Sequence, residues 1–354
     1  MSFFDGLIRK KRNQGKVLHI CPLDKFIPSF IDFIKENFEF EQHIFFLRGD
    51  INQYPVQLSE NIIYLKHSSQ FISLISEMNK ARKIILHSIF ISKIVLLLGI
   101  QPWLLKKCYW MIWGGDLYYY QFRTRNFKSN IYEKIRTFVI KRIGHFVTYI
   151  KGDYELAQKW YGAKGEYHEC LMYTSNLYNE CAVPHKAVEG NILVGNSAAP
   201  TNNHLDVFEK LRPFKDENIK IYCPLSYGND KYAAYVAKIG KDLFGDKFIP
   251  LFEFISFEKY LDLLGQIDMA IFAHKRQQAM GNTITLLGLG KKVYMRNDVT
   301  PWALFNELGV KVFDVCKFEL TPLNESVRKN NQDKIKSHFS KATFSRQLND
   351  IFKS

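Results

Sequence analysis

The chain has 354 residues, of which 47% are hydrophobic and 15% aromatic. That apolar content excludes a disordered or collagenous chain, and at about 100–200 residues per domain the length predicts two domains. Forty-nine Lys and Arg against 35 Asp and Glu leave a net charge of +14, which points to an anionic partner: nucleic acid, phosphorylated small molecules or an acidic membrane face.

The opening residues Phe3, Phe4, Leu7 and Ile8, followed by Arg9 to Arg12, read as a short amphipathic start or a frayed terminus. They do not read as a secretory signal, because no long apolar stretch follows the basic run. Apolar runs then predict strands at Lys16–Cys21, His43–Leu47, Asn61–Leu65, Lys83–His87, Tyr109–Trp113 and His145–Ile150. A second set falls at Asn191–Gly195, Ile219–Cys223, Phe248–Leu251, Met269–Phe272, Lys292–Met295 and Val310–Phe313. Helical patterns separate them, the mark of parallel α/β units. Tyr232, Tyr235, Val236, Ile239 and Leu243 lie at helical spacing, and Phe257, Tyr260, Leu261 and Leu264 repeat it with Ser256 placed to cap. The stretch Ile84 to Ile100 is the best membrane-span candidate, but His87 and Lys93 interrupt it.

The fold class expected is α/β, with two Rossmann-like domains facing a cleft. The boundary falls between about Ser175 and Gly190, giving domains 1–180 and 181–354, with the C-terminal helix free to pack back on the first. The six cysteines are scattered without zinc-ligand spacing and read as buried thiols of a reduced, cytosolic protein.

Three stretches carry chemistry. Trp110 to Trp113 runs into Gly114, Gly115 and Asp116. Ligands of open α/β sheets bind beyond the carboxyl ends of strands, so Asp116 would point into the cleft; the same residues read equally as a turn with Asp116 capping a helix. Val194-Gly195-Asn196-Ser197, continuing to Pro200-Thr201-Asn202, runs through small and hydroxyl residues suited to a phosphate before a helical pattern starts, although an ordinary polar loop has the same look. His274-Lys275-Arg276-Gln277-Gln278 leads into Gly281-Asn282-Thr283 and concentrates the cations, amides and helix entry that can neutralise a departing diphosphate; a solvated basic loop is the alternative, against which stands its place between a buried strand and an apolar helix. Between them, Ser226 and Tyr227 close another strand and would wall a base or sugar pocket. His19 and His87 end predicted strands and, taken singly, read as satisfied core histidines.

No Asp-x-Asp occurs, so the usual carboxylate pair for Mg²⁺ or Mn²⁺ is missing and no metal is expected. From Lys106 to Lys151, basic residues interleave with Tyr118, Tyr119, Tyr120, Phe122 and Phe127. Such a surface suits anionic lipid with an apolar chain, or single-stranded nucleic acid stacked on aromatics. A nucleic-acid-binding or modifying protein is therefore the alternative reading, against which stands the lack of any recognisable nucleic-acid-binding signature.

These residues resemble glycosyltransferase family 56, the TDP-N-acetylfucosamine:lipid II N-acetylfucosaminyltransferases of enterobacterial common antigen synthesis. The resemblance is carried, in order, by His87, by Tyr109-Trp110-x-x-Trp113-Gly114-Gly115-Asp116-Leu117-Tyr118, by Ile192 to Ser197, by Tyr260-Leu261-x-Leu263-Leu264, and by Phe272-Ala273 to Thr283. Gly115 departs from an Ala in the family pattern, and His274-Lys275 and Ala279-Met280 alter the last loop. The resemblance implies a metal-independent GT-B-like glycosyltransferase with an acceptor domain first and a nucleotide-sugar domain second. It implies a TDP-sugar donor held by Gly195, Asn196, Ser197 and the His274–Thr283 loop, with Asp116 or His87 serving the acceptor hydroxyl and Arg276 the leaving diphosphate. The acceptor implied is a polyprenyl-diphosphate-linked glycan at the cytoplasmic face of a bacterial inner membrane, with no nucleic acid involved.

Overall fold

The computed structural model describes residues 15–179, 190–253 and 255–353. The chain divides into two compact units: one runs to Ser175 and includes the chain from Phe344 onward, the other spans Asn176–Thr343. The amphipathic N-terminal start, Cys181 and the 180/181 boundary lie outside the described residues.

The first unit is a seven-stranded parallel sheet of β1 (Val17–Leu23), β2 (His43–Gly49), β3 (Ile62–Tyr64), β4 (Lys83–His87), β5 (Cys108–Met111), β6 (His145–Val147) and β7 (Glu166–His168). Their spatial order is β3-β2-β1-β4-β5-β6-β7. The connecting helices are α1 (Ile27–Asn37), α2 (Ser68–Lys80), α3 (Ser92–Ile100), α4 (Gly115–Phe122), α5 (Phe127–Ile140) and α6 (Lys151–Tyr161).

Because side chains alternate across a strand, the register sorts them onto two faces. Leu18, Ile20, Phe46, Ile84, Leu86, Trp110 and Phe146 face one way and form a core with Leu74 and Met78 of α2, Ile94 and Leu98 of α3 and Val139 of α5. His19, His43, Phe45, Lys83, His87, Tyr109, His145, Glu166 and His168 fall on the other face by the pairing register. Phe30 and Phe33 of α1 pack there, and the C-terminal helix, numbered α13 below, closes it: Phe33 and Phe344 rings stand 4.7 Å apart, His43 and Phe352 also 4.7 Å. Arg82 donates to the Phe352 carbonyl at 2.5 Å and Lys83 to that of Ile351, tying the helix end to the sheet.

The second unit repeats the plan with β8 (Asn191–Val194), β9 (Lys220–Pro224), β10 (Phe248–Leu251), β11 (Met269–Phe272), β12 (Lys292–Met295) and β13 (Phe313–Asp314), in the order β10-β9-β8-β11-β12-β13, all parallel. Its helices are α7 (His204–Leu211), α8 (Asp230–Phe244), α9 (Phe257–Gln266), α10 (Met280–Gly288), α11 (Thr300–Glu307), α12 (Glu325–His338) and the beginning of α13 (Lys341–Lys353). Ser256 accepts from Lys259 N and caps α9 as its position predicts.

Several expectations are corrected. Ile84–Ile100 is not one apolar segment: β4 ends at His87, Ser88 adopts φ +72°, and the nine-residue α3 begins at Ser92. Among the described residues no helix is long and apolar enough to cross a membrane. Tyr235 stands exposed rather than on the buried face of α8, and Cys316 is exposed while Cys21, Cys108, Cys170 and Cys223 are buried. Strand β7 escaped the sequence reading because Glu166-Tyr167-His168 is a short, half-polar edge strand without an apolar run.

Candidate functional site

In the second unit, parallel strands deliver three loops to the carboxyl edge of the sheet, and hydrogen bonds tie them together. Gly195 leaves β8 at φ +69°, a conformation natural to glycine. A Cβ there would lie 2.7 Å from His204 Nε2 and 2.8 Å from Asn202 Oδ1, so the turn closes only around a hydrogen atom. Asn202 is the hub of this loop. Its Oδ1 accepts from Asn196 N at 2.9 Å and from His274 Nε2 at 2.8 Å, and its Nδ2 donates to Ser197 Oγ and the Ala199 carbonyl. An amide oxygen can only accept, so His274 carries its proton on Nε2. Burial, with the Arg276 charge second, depresses His274 to about 3 and keeps it neutral.

A chain of side chains then crosses all three loops. Asn196 Nδ2 donates to Tyr227 OH at 2.8 Å, Gln278 Nε2 to Asn196 Oδ1 at 2.9 Å, and Thr201 Oγ1 to Gln278 Oε1 at 2.8 Å. The expected residues Gly195, Asn196, Ser197, Tyr227, Gln278 and their neighbours Ser226, Gln277 and Arg276 are thereby brought to one edge. Beside them α10 starts after Ala279, which adopts φ +57° and offers no side-chain cap. The N–H groups of Met280, Gly281 and Asn282 have no intrahelical acceptor, and a helix start carries about half a positive charge. Arg276, half-buried, donates to the Gln277 carbonyl at 3.0 Å, which holds its guanidinium against the same loop. Gln277 is buried, and its Oε1 has no hydrogen-bond partner.

Two expected ligands are instead occupied. The Thr283 hydroxyl donates to the Ala279 carbonyl at 3.0 Å and is buried, so it closes the first turn of α10. Asn282 Nδ2 donates to Tyr260 OH at 2.8 Å, joining α10 to α9. Asn202, Thr201 and Tyr260 carry the loop geometry; the sequence places Tyr260 in the apolar stripe of α9 and Thr201 and Asn202 in the polar run after β8, without assigning any of them a site role.

In the first unit the loops after β4 and β5 lie at the carboxyl edge. Asp116 is in the first turn of α4 and fully buried. Its Oδ2 accepts from Trp110 Nε1 at 2.7 Å and Ile89 N at 3.1 Å, and its Oδ1 from Trp113 N and Leu117 N at 3.0 Å each. Four donors saturate the carboxylate, so the expected acceptor-facing base is instead an internal tie between two loops. Burial raises its pKa, opposed by these donors and by Arg136. Arg136, counted among the basic surface residues, is itself buried, and donates to the Asp116 and Ile89 carbonyls.

His87 is likewise interior. His87 Nδ1 lies 2.8 Å from Tyr173 OH and its Nε2 3.0 Å from His19 Nδ1, while His19 Nε2 lies 2.9 Å from His43 Nδ1. Burial depresses His87 to about 3 and His43 to about 4, so the row is neutral. Trp113 Nε1 donates to Tyr173 OH at 2.6 Å, bringing the row to the half-buried Trp113. Both ring nitrogens of His87 are taken, and direct contact with an acceptor is not what its geometry offers.

Other carboxylates on loops at this edge are engaged. Asp50 Oδ1 accepts from Asn52 N and Gln53 N, and Glu169 accepts from Gln347. Asp24, immediately after β1, is half-buried, and its charge acts on Lys25 and Tyr54.

The chain as a whole has known structural counterparts. A glycosyltransferase from Rickettsia africae superposes with a TM-score of 0.63 at 13% identity, covering 96% of this chain and 98% of that one. Anabaena Alr3699/HepE in complex with UDP and glucose gives 0.66 at 10% identity, covering 96% and 99%. WaaG, a glycosyltransferase involved in lipopolysaccharide biosynthesis, gives 0.59 at 9% identity, covering 95% and 98%. At such identities the likeness shows the fold, the GT-B-like pairing of Rossmann-like domains. The sequence pattern of the 4-alpha-L-fucosyltransferase glycosyl transferase group 56 matches residues 32–342. The chain therefore belongs to glycosyl transferase group 56 and is a hexosyl-transferring glycosyltransferase.

Proposed function

We propose that this glycosyltransferase moves a 4-acetamido-4,6-dideoxyhexose, N-acetylfucosamine or a close analogue, from a TDP-sugar to a polyprenyl-diphosphate-linked saccharide in bacterial cell-surface polysaccharide synthesis. The observation that carries the donor half is the Tyr227–Asn196–Gln278–Thr201 chain, which fixes three loops beside the uncapped start of α10 and Arg276. A diphosphate leaving group develops negative charge as the glycosidic bond breaks, and fixed N–H groups and a guanidinium stabilise that charge by several kcal/mol. HepE, with UDP and UDP-glucose in its crystals, supports a nucleotide-sugar donor of this kind. With the cation and helix terminus supplying the positive charge, no metal is required for transfer.

On the acceptor side Asp24 is our candidate general base, since Asp116 and His87 are both committed to interior hydrogen bonds. A carboxylate within reach of the attacking hydroxyl removes its proton as the new bond forms. The lipid half of the acceptor is supported by a stripe on α5. Phe127, Ile131 and Phe138 are exposed at helical spacing, with Lys128, Lys134, Lys141 and Arg142 exposed around them. Gly99 of α3 places its missing Cβ 3.3 Å from Ile135, letting α3 pack closely on α5 and add exposed Leu96 and Ile100. Apolar side chains ringed by cations suit an anionic bilayer surface, and we place the enzyme at the cytoplasmic face of the inner membrane.

Calorimetric titration with TDP, with UDP and GDP as controls and chelator present, tests the donor half. Preferential TDP binding is expected; equal affinity for all three, or none, would remove it. Sedimentation with anionic and neutral vesicles tests the membrane half, and binding to single-stranded DNA in place of vesicles would favour a nucleic-acid partner.

A further inference from the structure

Strands β6 and β7 begin at the amino edge of the first sheet, opposite the loops described above. Parallel pairing sets His145 against Glu166 and Val147 against His168, which puts His145, Glu166 and His168 on one face. His145 Nδ1 lies 2.9 Å from His168 Nε2 and 3.5 Å from Glu166 Oε2, and His168 Nε2 lies 3.8 Å from the same oxygen. We propose that these three side chains form a binding site for a divalent transition-metal ion of the zinc class, outside the transfer site.

The spacing carries the argument. Four-coordinate zinc with bonds of about 2.1 Å to nitrogen and oxygen sets neighbouring ligand atoms about 3.4 Å apart, and the three observed separations bracket that value. Two imidazoles and a carboxylate are a ligand set for zinc, cobalt or nickel rather than for calcium or magnesium. The carboxylate's choice of partner is a second, separate observation. Glu166 lines a surface cavity with Lys106, Lys141, Arg142 and Lys164, yet its ion-pair partners among the described residues are the two imidazoles.

The surroundings fix the ligands in place. The Tyr109 ring stacks on His145 at 3.9 Å and 6°, which sets the plane of that imidazole. Lys83, whose charge opposes a bound cation, is held at the Ile351 carbonyl. Metal uptake requires the proton now between His145 Nδ1 and His168 Nε2 to move to the other nitrogen of the ring that carries it, so that both imidazoles stay neutral and each offers a lone pair to the ion. Glu166 is exposed, so a fourth position is open to water. Such an ion would pin the edge strand β7 to β6, where three residues of pairing hold it.

The test uses the full chain, freed of metal with a chelator, dialysed and titrated with Co²⁺ while visible absorption is followed, then with Zn²⁺ as competitor. One equivalent should produce tetrahedral cobalt bands that Zn²⁺ removes, and Zn²⁺ should raise the melting temperature. His168→Ala should abolish the bands. Glu166→Gln, at an exposed side chain and so with little risk to folding, should weaken binding at least about tenfold. His338→Ala, at an exposed histidine of α12, should change nothing. Absence of stoichiometric uptake, or uptake unchanged in both Glu166→Gln and His168→Ala, would overturn the site. TDP affinity is expected to be the same with and without the metal, so failure of this site leaves the donor reading untouched.

Discussion

His274 Nε2 donates to Asn202 Oδ1 at 2.8 Å, and that buried contact joins the loop after β11 to the loop after β8 beneath the Gln278 bonds to Asn196 and Thr201. Since the same oxygen also receives Asn196 N, Asn202→Ala strips an acceptor from two buried or half-buried donors at once. Each unsatisfied group costs about 1–3 kcal/mol. Chemical denaturation should show a loss in that range, and TDP affinity should fall with it because Asn196 and Gln278 lose their frame. Unchanged affinity in a destabilised variant would separate the hub from the nucleotide site.

Arg276→Ala is the complementary case. The side chain is half-buried and its carbonyl partner is the adjacent residue, so stability should move by less than about 1 kcal/mol. TDP affinity should drop about tenfold or more, since a charge-assisted contact to a phosphate is lost. Titration of both proteins under identical salt decides this, and equal dissociation constants would take Arg276 out of the donor site.

Asp116→Asn replaces two acceptor oxygens by one oxygen and an amide that must donate. Donors that both face Asp116 now meet an NH₂, and a loss of about 3 kcal/mol in unfolding free energy is expected. Asp24→Asn should do the reverse, with stability nearly intact and kcat reduced about 100-fold. If the Asp116 variant were fully stable but inactive, the roles of the two carboxylates would have to be exchanged.

Two glycines give opposite expectations for the same change. At Gly115 a Cβ would sit 3.1 Å from the Phe90 ring, whose half-exposed side chain can swing aside, so Gly115→Ala should cost under about 1 kcal/mol. At Gly195 the Cβ meets His204 and Asn202 at positive φ, and Gly195→Ala should cost well over about 2 kcal/mol and abolish nucleotide binding. Melting temperatures of the pair provide the comparison.

The pH dependence follows from the buried histidines. Burial depresses His43 and His204 to about 4 and His87 and His274 to about 3, against about 6.5 in the unfolded chain. The fold favours their neutral forms, so the unfolded state binds more protons between these limits. Their contribution is whole above about pH 6.5 and lost as pH falls through that window. Unfolding free energies at pH 7.5 and 5 should differ in favour of the higher pH, and equal values would place these rings in a wetter environment.

Parallel strands flanked by helices were legible because buried strands are continuous apolar runs; Lys83–His87, Phe248–Leu251, Met269–Phe272 and Lys292–Met295 fall where the sequence puts them. The gathering of Asn196, Tyr227 and Gln278 followed from the rule that parallel strands present their following loops on one edge. Side-chain direction was not legible. Asp116 and His87 sit at the right strand ends, yet face inward, because their partners Ile89, Tyr173 and His19 are distant in sequence and converge only in the folded sheet. Tyr173 had no local signal, since its role depends on the chain after β7 bringing its hydroxyl to Trp113 and His87.

The return of residues from Phe344 onward to the first unit has a consequence for synthesis on the ribosome. The sheet face bearing His19 and His43, with Phe33 of α1 beside it, is complete only once Phe344, Leu348, Ile351 and Phe352 are laid over it. A nascent chain therefore carries an unfinished first unit throughout translation of the second, because Phe344 and the residues after it are made only once Asn176–Thr343 are complete. Helix α13 acts as a clasp on the first unit, and a product truncated before Phe344 would present that apolar face to chaperones and proteases.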